Sequence, residues 1–287
     1  MFPVESISDS RLPLQGYATG PRSAAFSLES VTVDRSGIDV LSDVSLDIEP
    51  GVVTVIIGRS GVGKTSLLGT LNGLIRPRAG RVRAAGIGDL QDPGALRAHR
   101  RRTSTIFQQH GLIERRSALD NVLLGLVERK HVFALSPFDS QDMGRGLDAL
   151  HSVGLLPKAL ARVDRLSGGE RQRVGIARAL IRNPEILLGD EPFAAMDVAF
   201  VGYLGRQFRE LVADRQMTVV LVLHQLDAAL ELADRLIGLS EGRVAFDGPP
   251  STFDVTARER IFGSRRMPEA PRSTQEEWSG QWAWSSG

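Results

Sequence analysis

Hydrophobic and polar positions follow two different periods along the chain. Short β-branched runs at 52–57, 186–188 and 219–223 are bounded by Gly, Asp or His and separated by stretches of helical spacing. Runs of that length without polar alternation predict strands buried on both faces, and the helices between them predict a parallel sheet of an α/β fold. Between 25 and 50 the alternation is looser, as in Phe26-Ser-Leu-Glu-Ser-Val-Thr-Val and Val44-Ser-Leu-Asp-Ile. Together with Gly80-Arg-Val-Arg this segment predicts a small antiparallel sheet. Residues 112–165 carry helical periodicity, as in Ala118-Leu-Asp-Asn-Val-Leu-Leu-Gly-Leu-Val, and predict an inserted helical segment. Residues 1–24 and 264–287 are rich in Ser, Pro, Arg and Gly without periodicity and read as flexible tails around a domain at 25–263. The second tail holds Trp278, Trp282 and Trp284.

Composition narrows this picture. The 287 residues are 42% hydrophobic and 24% charged, enough apolar content for a folded core and enough length for one large domain or two modest ones. The absence of Cys excludes a disulfide framework, a Cys-ligated zinc and a thiol nucleophile. A net charge of +1 gives no reason to expect nucleic acid as a partner. The cluster Arg97-Ala-His-Arg-Arg-Arg102 reads as a solvated face ahead of a strand that carries Gln108. The longest apolar runs are of strand length, far below the roughly 20 residues of a spanning helix. The first residues have neither the basic nor the apolar region of a signal peptide, so a cytoplasm-like compartment is expected.

Two motifs carry chemistry. Gly58-Arg59-Ser60-Gly61-Val62-Gly63-Lys64-Thr65 follows the run at 52–57 and opens an amphipathic helix at 64–74 whose first turn also holds Ser66. Glycines at this spacing let backbone N–H groups converge on a polyphosphate; the lysine reaches the β and γ oxygens, and the hydroxyl of Thr65 is a ligand for Mg²⁺. The second motif is Leu166-Ser167-Gly168-Gly169-Glu170, ahead of a helix at 171–181 that stops at Asn183-Pro184. Ser167 and Glu170 have the spacing of a capping box, which explains a helix start but not two consecutive glycines. Downstream, Glu185-Ile-Leu-Leu-Gly-Asp190-Glu191-Pro192 is a buried strand ending in two acids. One carboxylate there can hold Mg²⁺ and the next can take a proton from water.

In this order the motifs resemble those of the ATP-binding cassette (ABC) ATPases, over residues 25–250. Phe107-Gln108, the loop Phe193-Ala-Ala-Met-Asp197 and His224 after a strand belong to the same pattern. The resemblance implies a phosphate-loop NTPase (RecA-like) core with a small antiparallel β subdomain and an inserted α-helical subdomain. It implies ATP and Mg²⁺, with Thr65, Gln108 and Asp190 at the metal, Glu191 activating water and His224 at the γ-phosphate. It also implies that Ser167, Gly168 and Gly169 act in trans on nucleotide held by a second subunit, with Asp197 reporting across the interface of a head-to-tail dimer.

Two departures stand out. Where the family carries an aromatic residue for adenine, this chain reads Asp34-Arg35-Ser36-Gly37, and Arg35 offers only a planar guanidinium. The choice between ATP and GTP is therefore open at this point. Ala194-Ala195-Met196 replaces a more usual Ser and Leu ahead of Asp197. The stretches 106–125 and Leu223-His224-Gln225-Leu-Asp-Ala-Ala resemble phosphonate-import ATPases in particular. That implies the motor of a bacterial importer on the cytoplasmic face of the inner membrane, working with permease subunits and, indirectly, a solute-binding protein. The alternative from another class is a non-transport ABC subunit of a phosphonate-degrading complex.

Overall fold

The computed structural model describes residues 24–108, 111–129, 138–196 and 198–263. Asp197 and the greater part of both expected tails lie outside the described residues.

The chain opens with two long strands, β1 (Phe26–Arg35) and β2 (Ile38–Ile48), paired antiparallel with Phe26 opposite Ile48 and Arg35 opposite Ile38. Their loose alternation has a physical cause. Phe26 and Leu28 point inward, then Val31 and Val33 do, a change of parity absorbed by a bulge at which Ser30 takes φ +48°. β2 shifts in the same way at Asp43, φ +54°, between buried Leu41 and Val44. Each bulge adds one residue and returns the apolar set to one face.

β3 (Val53–Gly58) is buried at every position and runs into α1 (Lys64–Leu71). This helix is shorter than its periodicity predicts, because the N–H groups of Leu74 and Ile75 fold back onto the carbonyl of Gly69 and close it. β4 (Ala79–Ala84) and β5 (Gly88–Asp89) complete a sheet of order β2-β1-β4-β5. α2 (Pro93–Arg102) starts on the Asp92 side chain, which accepts from Ala95 N–H at 2.8 Å. It holds the arginine cluster, and Arg97, Arg100, Arg101 and Arg102 are exposed as expected. His99 departs from the solvated face: it is fully buried, 2.9 Å from the Leu71 carbonyl and edge-on to Phe26. Burial holds its imidazole below the usual histidine value, against the Leu71 bond that favours the charged form.

β6 (Thr103–Ile106) ends before Gln108, so that residue lies beyond the strand and not in it. α3 (Ala118–Leu123), a 3₁₀ stretch at Leu124–Arg129 and α4 (Ser140–Ser152) pack with α5 (Gly168–Leu180) as the helical part. β7 (Ile186–Asp190), α6 (Val198–Arg215), β8 (Thr218–Val222) and α7 (Leu226–Leu232) follow. The described chain closes with β9 (Arg235–Ser240), β10 (Arg243–Gly248) and α8 (Val255–Phe262).

The second sheet has the order β10-β9-β3-β8-β7-β6 and is parallel except for β10. Successive side chains of its strands feed two cores. Val53, Val55, Ile57, Leu187, Val219 and Leu221 pack on one side with the helices. Ile56, Leu188, Val220 and Val222 face the other side, against α1 and the antiparallel sheet. Strands buried on both faces need apolar residues at consecutive positions, which is why their sequences read as continuous runs.

Candidate functional site

The loop from Gly58 to Lys64 turns β3 into α1. Gly63 sits at φ +106°, and a side chain there would bring its Cβ to 2.4 Å from the Val40 carbonyl oxygen of β2. Only glycine fits both the conformation and the contact. The loop is thereby pressed against the antiparallel sheet, and the amino end of α1, with its partial positive charge, opens toward the loop. Lys64 is 5% exposed, and its Nζ donates to the carbonyls of Gly58 at 2.9 Å and Arg59 at 2.8 Å. Burial holds its ammonium below the usual lysine value, against the pull of Glu191 and Asp190. Arg59, Ser60 and Gly61 are exposed at the loop's crest, Val62 is half-buried and Ser66 is buried behind it.

Asp190, 7% exposed, ends β7 and accepts from the Thr65 hydroxyl at 3.3 Å. Burial pushes its carboxyl above the usual range, the Thr65 bond draws it down, Glu191 pushes it up again, and Lys64 and His224 draw it down. Glu191 follows in a left-handed conformation, φ +51°, its N–H bonded to the Val222 carbonyl at 3.1 Å. One oxygen of its carboxylate is bonded to His224 Nε2, and the other accepts from Gln108 Nε2 at 3.4 Å. An ionised carboxylate only accepts, so His224 carries its proton on Nε2 when Glu191 is charged. Gln108, Glu191 and His224 thus leave the ends of three adjacent strands and form one hydrogen-bonded group beside the buried Asp190.

Ser167, Gly168 and Gly169 stand at the start of α5, which begins earlier than the expected 171 and takes both glycines into its first turn. The Ser167 hydroxyl accepts from Glu170 N–H at 3.2 Å while the Glu170 carboxylate accepts from Ser167 N–H at 3.0 Å, a closed capping box. Glu170 is also held by Lys158 at 2.5 Å, and this bond first, then the Ser167 amide, keeps its carboxyl below the usual range. Gly169 lies so close to the 191–196 segment that a Cβ there would meet the Ala195 carbonyl oxygen at 2.7 Å. Asp34, Arg35, Ser36 and Gly37 are exposed at the tip of the first hairpin, beside an Ile38 that is 69% exposed.

One residue escaped sequence reasoning. Gln172, 2% exposed, donates from Nε2 to the Glu191 carbonyl at 2.8 Å and accepts at Oε1 from Ala195 N–H at 2.9 Å. Its signal in the sequence is faint: a polar side chain at helical spacing with buried Ile176 and Ala179.

The Lys158–Glu170 bond yields a prediction. A carboxyl held low in the folded state contributes stability above its ordinary value of 4.5, and that contribution is lost as pH falls through the lowered folded value. Lys158 is half exposed, so Lys158→Met is expected to lower stability at pH 7 by less than about 1 kcal/mol. Urea unfolding should show the gap to the unsubstituted protein closing as the pH is taken well below 4.5.

A profile of the ABC transporter family matches residues 41–194. The phosphonates import ATP-binding protein PhnC 2 of Rhodopseudomonas palustris is 52% identical over 244 residues, which cover 85% of this chain and 86% of that protein. The phosphite import ATP-binding protein PxtA of Stutzerimonas stutzeri is 43% identical over 241 residues, covering 84% and 87%. Among solved structures, the dimeric ATP-binding cassette MJ0796, in a post-hydrolysis state bound to ADP and Pi, superposes with a TM-score of 0.72 at 33% identity, over 78% of this chain and 98% of that one. The matching fold is a phosphate-loop NTPase core with an antiparallel β subdomain and a helical subdomain. A profile that spans more than half of the chain and relatives alike over most of their length have one consequence: the chain belongs to the ABC transporter family, on its ATP-binding side.

Proposed function

We propose that this chain is the ATP-hydrolysing motor of a bacterial importer for phosphonate, phosphite or a related oxyanion. The observation that carries the reading is the meeting of a buried lysine loop with the Gln108–Glu191–His224 group at neighbouring strand ends. The solute class rests on the two import proteins named above.

Phosphoryl transfer from ATP asks little covalent chemistry of a protein and much positioning. Lys64 and the backbone N–H groups from Gly61 to Thr65 hold the β and γ phosphates, with Gly58, Arg59, Ser60, Val62 and Ser66 completing the cradle. The buried carboxylate of Asp190, the Thr65 hydroxyl bonded to it and the amide oxygen of Gln108 form a set of hard oxygen donors that fits Mg²⁺. When bound there, the ion neutralises charge on the phosphate oxygens. Glu191 takes the proton of the attacking water as the bond from the γ phosphorus to ADP breaks, and His224 fixes the carboxylate and faces the γ-phosphate.

One chain supplies one loop and one signature. Two copies arranged head to tail complete two sites, with Ser167 and the Gly168 and Gly169 amides closing on the γ-phosphate held by the other copy. ATP draws the copies together and hydrolysis releases them, which turns phosphate contacts into movement. No described helix is long and apolar enough to cross a membrane. In the importer reading, attachment to the cytoplasmic face falls to permease subunits, as it does for the motor of any such assembly. A groove next to the turn that carries Gln108 is lined by exposed Leu74, Phe107, Leu124 and Val127 together with Arg100, Arg182 and the hydroxyls of Thr103 and Ser104, a mixed apolar and basic surface on which we place a permease element.

Glu191→Gln is expected to bind ATP as the unsubstituted chain does, to lose turnover by about 10²-fold or more, and to accumulate as an ATP-bound dimer in size-exclusion chromatography. Lys64→Ala is expected to weaken ATP binding itself, by about tenfold or more in a fluorescent-nucleotide titration. Co-purification from native membranes should bring down permease subunits. Uptake assays on that complex should show transport of phosphonate or phosphite that sulfate does not compete away; transport of an unrelated solute would refute the solute class.

A further inference from the structure

Gln172 is a polar side chain almost wholly withdrawn from water, and both ends of its amide are committed to the backbone of one short segment. Its Nε2 donates to the Glu191 carbonyl at 2.8 Å and its Oε1 accepts from Ala195 N–H at 2.9 Å. The partners fix the orientation of the amide, since a carbonyl can only accept and an N–H can only donate. Glu191 meanwhile holds a left-handed backbone, φ +51°, that side-chain-bearing residues rarely keep. Such a conformation persists where the surroundings over-determine it. Here β8 grips the residue through the Val222 carbonyl on one side, and Gln172 grips it through its own carbonyl on the other.

The second grip originates in a different part of the fold. Gln172 lies one helical turn after Gly168 on α5, so it moves as one body with the capped signature end of that helix. Gly169 adds a close backbone contact from the same turn to Ala195. The signature and the Glu191–Ala195 segment are therefore joined at three points: Gln172 to Glu191, Gln172 to Ala195, and Gly169 to Ala195.

We infer that Gln172 is a positioning residue for hydrolysis, which makes the alignment of the Glu191 carboxylate depend on how the signature end of α5 is seated. The inference rests on the reading of Glu191 as the group that activates water and of the signature as a contact to a second copy. It adds that each copy's engagement with the other's nucleotide is passed back to its own Glu191 through one buried amide. Gln172 has no bond to Lys64 or the phosphate loop, so ground-state binding of ATP does not depend on it.

Gln172→Met in the full chain keeps the length of the side chain and removes both hydrogen bonds. Steady-state ATPase measurements should show kcat reduced by at least about tenfold while KM and the affinity for a fluorescent ATP analogue stay within about twofold. A residue that merely fills space would lower the melting temperature and leave the kcat of the folded protein unchanged. Gln172→Asn, which stays polar but is too short to span both partners, carries the same expectation if the methionine variant does not fold. Glu191→Gln is measured alongside. Loss of turnover there with kcat unchanged at position 172 overturns the inference alone, and retained turnover in Glu191→Gln overturns the reading beneath it.

Discussion

The hydrogen-bond register of four parallel strands governs everything else in this molecule. β3, β8, β7 and β6 lie side by side, with Val55 opposite Leu221, Asp190 opposite Val222 and Ile106 opposite Gly189. Neighbouring strands are about 4.8 Å apart, so residues that leave their carboxyl ends are delivered to a strip about 15 Å wide. The lysine loop, Asp190 with Glu191, His224 and Gln108 all leave from that edge. No long loop has to be ordered to assemble them, and a chemistry that depends on placement is thereby set by backbone pairing.

Around this edge the fold tolerates local costs that its cores outweigh. Lys64 and Asp190 are both withdrawn from water, Glu191 has an unfavourable backbone, and Gly63 must come within contact of β2. Burying unlike charges near one another offsets part of their desolvation without making the arrangement stabilising in itself. The compensation comes from the two apolar layers on either face of the parallel sheet, each apolar side chain contributing about 1.5–3 kcal/mol on burial. The sheet is thus both the ruler for the site and the source of the energy that holds it.

Much of this could be read from the residues in order. Runs such as Thr218–Val222 announce a two-sided burial, and a glycine-rich turn between strand and helix announces its ligand class. The hairpin of β9 and β10 is less legible, although β9 lies directly against β3. Its run begins at Arg235, whose guanidinium is paired with Asp247 and Glu49, and is interrupted by Gly238, so the apolar stretch is short. His99 sits within a basic cluster and gives no local hint that it will be sealed beneath Phe26. Gln172 is hidden for the same reason: its partners are backbone groups distant in sequence, and backbone groups leave no trace in composition. Local chemistry is written locally, whereas contacts made by the fold appear only once it has formed.

The left-handed backbone at Glu191 sets the two demands on that position against each other. Glycine there would relieve conformational strain of about 1–3 kcal/mol and would also remove the carboxylate. A search for variants by heat resistance alone would therefore favour a sturdier chain without the carboxylate that we propose activates water. With Glu191 in its proposed role, the melting curve and the turnover number point in opposite directions at residue 191.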